Sequence, residues 1–182
     1  MTLMINEIID IINMAASQVT QNYLNLTTTY EPSGIVRERV FCYELYHQIR
    51  LILGKNHKLT LNGEIDKRGH QDFKVEDRKN PDFVFHIPGQ HEGNTIILEV
   101  KGNIDTEGIT KDFRTIRTFI SSYQYQAGIF LLYNHNLSEL LEVLGDKLEE
   151  FINSDYADQI VIITLPQAHN IEQIISLKQL KK

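Results

Sequence analysis

The chain has 182 residues, 42% of them hydrophobic and 23% charged, with a formal net charge of -6 and a single cysteine. That length suits one domain, able to bury roughly 70% of its unfolded surface without a covalent staple. One cysteine excludes an intramolecular disulfide framework and a cysteine-based zinc finger and fits a reducing compartment, while the acidic balance excludes a protein held to nucleic acid mainly by bulk positive charge.

Residues 3–24 are predicted as an amphipathic helix, with Met4, Ile8, Ile11, Ile12, Ala15 and Val19 at helical spacing. Glu7 and Asp10 interrupt its apolar run and no basic residue precedes it, so it does not read as a signal peptide. No stretch approaches the ~18 apolar residues of a membrane span, and the expected location is the cytoplasm. Thr27 to Gly34 is a break punctuated by Pro and Gly. A second helix is predicted over 35–53, stopped by Gly54. Three strands follow, over 59–67, 82–87 and 94–101. Residues 67–80 form a highly charged connection between the first two. A helix over about 105–122 has Asp105 or Thr106 as its N-cap. The run 127–133 is a buried strand, 138–153 a helix capped by Ser138, and 159–165 a last buried strand closed by Pro166. Residues 171–182 are read as a short helix with a basic end. The expected fold class is α/β, a mixed central sheet flanked by helices. The chain reads as a single domain over 1–182, with an N-terminal helical appendage (1–30), a core (35–135) and a C-terminal helix-strand extension (136–182).

Functional residues often break local rules, and three places do so here. Strand 94–101 reads as buried yet carries Glu99 and Lys101, which share one face because side chains two apart on a strand point the same way. Pro81-Asp82 opens the strand before it. A hairpin folded symmetrically about Pro88–Gly93, with no bulge to shift the register, sets Asp82 opposite Glu99, where two acids repel and Lys101 or a metal ion must offset them. In the second helix Phe41, Leu45, Ile49 and Ile52 define an apolar face. At ~100° per residue, Glu38 falls within that face rather than toward water. Glu44 lies well off it and reads as a solvated or ion-paired residue.

Pro81-Asp82, sixteen intervening residues, then Glu99-Val100-Lys101 resembles the signature of the PD-(D/E)XK nucleases. The order of a helix with an inward Glu, three meandering strands, a helix and a strand resembles the restriction-endonuclease-like αβββαβ core over residues 35–135. The resemblance implies a metal-dependent nuclease, an endonuclease cutting phosphodiester bonds in DNA. It implies Asp82, Glu99 and the Val100 carbonyl as ligands of Mg²⁺ or Mn²⁺, with Glu38 completing the shell. It implies Lys101 as the residue that orients or helps deprotonate the attacking water and steadies the developing phosphorane charge. Hard oxygen donors suit those ions. Glu64 and Asp66, sharing a face of the preceding strand, are either further acids of the site or a polar edge. The Gln-x-x-x-Tyr element that some of these nucleases carry has no match in Tyr123-Gln124-Tyr125-Gln126.

Lys111, Arg114 and Arg117, at i, i+3 and i+6, form a basic strip that either contacts phosphates or is a solvated helix face. The seven histidines, including His86 and His91 beside the hairpin loop, show no zincin spacing. Cys42 reads as buried and inert, and Tyr43 and Tyr46 as packing residues. No glycine-rich nucleotide loop and no Gly-x-Ser-x-Gly occurs. The expected partner is nucleic acid, with no membrane and with a homodimer or partner protein as a source of added affinity. The alternative is a catalytically inactive binding or interaction module on the same fold.

Overall fold

The computed structural model describes residues 3–63, 80–90 and 93–181. Glu64, Asp66, His91 and the charged segment from Lys67 to Lys79 lie outside the described residues.

Helix α1 (Leu3–Gln18) is shorter than its pattern suggested. The β-branched pair Val19-Thr20 leaves the helix, with Thr20 extended at φ -84 and ψ 163, and a single turn, α2 (Gln21–Leu24), follows. Leu26 and Ile35 then pair as an antiparallel bridge. That extended pairing is why α3 runs Glu38–Leu53 rather than from residue 35. Gly54 ends it at φ 67, a left-handed angle that costs glycine little.

The six strands are β1 (Thr60–Gly63), β2 (Phe83–His86), β3 (Asn94–Lys101), β4 (Ala127–Tyr133), β5 (Ile160–Leu165) and β6 (Gln173–Ser176), in that spatial order. β1, β2 and β3 form an antiparallel meander; β3, β4 and β5 are parallel; β6 returns antiparallel to β5. The parallel steps require crossovers. These are α4 (Thr106–Tyr123), then α5 (Leu137–Leu144) with α6 (Leu148–Ile152).

Helices cover both faces. Ile96, Leu98 and Val100 of β3 join the core built with α1 and α3. Ile97 joins the core built with α4, α5 and α6. β4 is buried at all seven positions, the continuous apolar pattern of a strand covered on both faces. The architecture is therefore a mixed six-stranded α/β sheet between helices. No helix among the described residues is long and apolar enough to cross a membrane.

Two expectations are corrected. The predicted helix over 138–153 is two helices. Asn136, not Ser138, caps the first through a reciprocal capping box with Glu139, and Gly145 at φ 48 ends it. The terminal segment is not a helix over 171–182. Residues 173–176 are β6, followed by a 3-10 turn, Leu177–Leu180. The open edge of β5 offers unpaired peptide groups, and this strand satisfies them.

Candidate active site

The hairpin expectation holds where it matters. Phe83 faces Leu98 and Val84 faces Ile97, so the register carries Asp82 to Glu99. A bulge does occur, between Phe85 and His86, which faces Asn94. It lies on the loop side and leaves the site end in register. Strand parity then puts Glu99 and Lys101 on the Ile97 face, toward α4.

Asp82 and Glu99 clasp each other across β2 and β3. The Val100 N–H donates to Asp82 Oδ2 at 2.7 Å, the Asp82 N–H donates to the Glu99 carboxyl, and the two carboxyls lie within hydrogen-bonding reach of one another. Burial pushes the Asp82 carboxyl up to about 6, with the Glu38 and Asp112 charges adding to it against the lowering effect of Val100. Glu99, only 7% exposed, is held well above the ordinary carboxylate range, by burial first and by Asp82 second.

Lys101 lies beside this pair, with Nζ 2.9 Å from Asp112 Oδ2 on α4 and 3.7 Å from Glu38 Oε2 on α3. Burial pulls its ammonium down, but the bond and charge of Asp112, with Glu38 and Asp82 behind it, outweigh that and raise it. Burial likewise raises Asp112 despite Lys101. Glu38 approaches from the other face of the sheet, past the end of β3, where it accepts from the Gly102 N–H at 3.3 Å. It is thus turned to Lys101 and Gly102. Tyr133 closes the floor. Its ring stacks flat on Phe41 at 4.0 Å, its buried hydroxyl has no hydrogen-bond partner among the described residues, and burial pushes that hydroxyl well up.

The cluster sits at the carboxyl end of β3, where the sheet passes from antiparallel to parallel pairing. Ligand sites of open α/β sheets favour the carboxyl ends of strands. Three carboxyl groups, Glu38, Asp82 and Asp112, act on the ammonium of Lys101, and Glu99 joins them through Asp82 and Asp112. Asp112 escaped the sequence reading, although its spacing betrays it. It is i+3 from Ile109 and i-4 from Ile116, a core position on an amphipathic helix.

Among the described residues, no group of three His, Cys, Asp or Glu is placed to hold a metal ion. The donor chemistry at Asp82 and Glu99 nonetheless fits a hard divalent cation: two buried, adjacent carboxyls beside a strand-end peptide, both raised by burial first and by neighbouring acids after it.

Of the remaining candidates, Lys111 bears on the cluster through its charge near Asp112. Arg114 and Arg117 both bind Glu150 of α6, at 2.9 and 3.0 Å, and Arg117 covers the Phe151 ring. They tie α4 to α6, and Lys111 is exposed one turn earlier. Glu44 accepts from Gln48. His86 bonds Asn62 at 2.7 Å. Cys42 is buried. Comparison with family models, with curated proteins and with solved structures returned no match.

Proposed function

We propose that this chain is a metal-dependent nuclease of the PD-(D/E)XK kind, hydrolysing phosphodiester bonds in DNA, with α3-β1-β2-β3-α4-β4 as its restriction-endonuclease-like core. One observation carries the reading: Asp82, Glu99 and Lys101 meet at the end of β3 with an acid excess that a bound cation would offset in place of protons. Asp82, Glu99 and the Val100 carbonyl would hold Mg²⁺ or Mn²⁺. Such an ion lowers the pKa of bound water and polarises a phosphoryl oxygen.

The residues themselves assign the remaining work. Lys101 is kept protonated by Asp112. It therefore serves as a hydrogen-bond donor to the charge that grows on the phosphate, not as the base. Asp112 is a positioning residue, because it fixes the ammonium from the α4 side. Glu38 holds the Gly102 peptide and the far side of Lys101, which fixes the strand end from α3.

Purified protein should nick or degrade DNA in Mg²⁺ or Mn²⁺ and be inert in EDTA. Asp82→Asn, Glu99→Gln and Lys101→Met should each lower the rate by at least about a hundredfold, within the range seen when a group that stabilises developing charge is removed. Cleavage that survives all three substitutions overturns the site. Metal-dependent DNA binding with no cleavage under any ion leaves the noncatalytic module instead.

A further inference from the structure

A cleft of about 470 Å³ opens beside the acids, with Asp82 itself in its wall. Tyr43, Tyr46, Phe83, Asn62 and Gly63 line it as well. The sequence suggested that both tyrosines pack. Tyr46 does, against Phe83 at 6.2 Å, but Tyr43 is 67% exposed. It stands on the surface of α3 with its ring bared at the cleft.

We propose that this cleft takes an unpaired nucleobase of the substrate strand, adjacent to the phosphodiester that is cut. The inference rests on the nuclease reading and names its substrate class: single strands, flaps or mismatched sites rather than perfect duplex. The lining sets the ligand. No Lys or Arg stands among the described residues of the cleft, whose lining there is mainly aromatic and amide. Aromatic rings offer a stacking surface to any base. Asn62 adds an amide, held in orientation by His86 at 2.7 Å, and side-chain amides pair with base edges.

Position sets the strand. Asp82 belongs to both the cleft and the acid cluster, so a phosphate at the acids places its neighbouring base at the aromatic wall. A base inside a duplex has both faces covered and cannot enter without being unstacked. Charge points the same way. With a net charge of -6 the chain has no bulk attraction for a polyanion, and stacking is a source of affinity that does not depend on charge.

The test uses the full chain and a short single-stranded oligodeoxynucleotide carrying 2-aminopurine, with Ca²⁺ in place of Mg²⁺. Binding should quench the fluorophore. Tyr43→Ala should weaken that binding about 5- to 100-fold, the loss expected for one base–aromatic stack, and Tyr43→Phe should restore it. In Mg²⁺ the wild type should cut single strands at least about tenfold faster than matched duplex, and Tyr43→Ala should narrow that preference. Quenching and preference unchanged in Tyr43→Ala overturn the cleft assignment, while metal-dependent cleavage would leave the nuclease reading intact. Tyr43-dependent quenching without cleavage in any metal supports the cleft and removes the catalytic reading. Neither binding nor cleavage overturns both.

Discussion

At the scale of single residues, the site is a contest between burial and charge. A buried carboxyl prefers its proton, and a neighbouring carboxyl strengthens that preference. Asp82 and Glu99 show both effects. Lys101 shows the converse, since Asp112 keeps it charged although half-buried. The acids of the hairpin were legible in the sequence because charge on a buried strand violates a strong rule. Asp112 was legible in principle, at an inward position of a helix otherwise lined by Ile109, Phe113 and Ile116. It was missed because the sequence reading of α4 followed its basic residues, Lys111, Arg114 and Arg117, and not the inward face. Its role can be isolated. Asp112→Asn removes the charge that raises Lys101, so the Lys101 ammonium should lose its proton at lower pH. If the protonated lysine is the working form, the alkaline limb of the kcat/KM profile moves to lower pH. The acid limb, set by Asp82 and Glu99, should move less. A uniform fall in rate with no shift of the alkaline limb would show that Asp112 is only structural.

At the scale of elements, turn chemistry decided what periodicity could not. The buried strands β3 and β4 and helix α4 were found to within a residue, because long apolar runs and an Asp cap are unambiguous signals. Asp105 caps α4 as expected, accepting from the Gly108 N–H at 2.6 Å. The short edge strand β6 was not legible. Gln173-Ile174-Ile175-Ser176 fits a strand or a helical turn equally, and the open edge of β5 settles the matter only in three dimensions. The approach of β3 to β4 carries a second constraint at the site. A Cβ at Gly102 would overlap the ring and hydroxyl of Tyr133, and Tyr133 is itself stacked on Phe41. Gly102→Ala should therefore cost about 1–3 kcal/mol, as overpacking in a dense core does. Adding Tyr133→Leu should return part of that loss, so the two changes fall short of additivity. Chemical denaturation of the two single variants and the double variant measures this directly. Strict additivity would mean that the strand end shifts freely and that Gly102 and Tyr133 are not packed against each other.

At the scale of the whole molecule, the acid cluster links stability to pH, and the proposed cation site would tie both to metal binding. Asp82 has a folded-state value of about 6 against an ordinary 3.8. A raised carboxyl value means that the folded state binds the proton more tightly than the unfolded chain. Its contribution is fully present below about pH 4 and is lost as pH rises through about 6. The difference corresponds to roughly 3 kcal/mol for Asp82 at most, and Glu99 acts in the same direction. In EDTA the wild type should therefore lose stability as pH rises from about 4 through about 6, and be less stable at pH 8 than at pH 5. Asp82→Asn keeps an acceptor for the Val100 N–H and cannot ionise, so it should flatten that decline and be the more stable protein at pH 8. Divalent cations should reverse the order. At the proposed site Mg²⁺ or Mn²⁺ should raise Tm by binding the folded state alone, with protons competing for the same oxygens. The increment should be large at pH 8, small at pH 5 and absent in Asp82→Asn. Thermal melts at the two pH values, with and without the ion, read all three comparisons. Equal cation increments in wild type and Asp82→Asn would place the ion elsewhere and break the link between the acid excess and a metal.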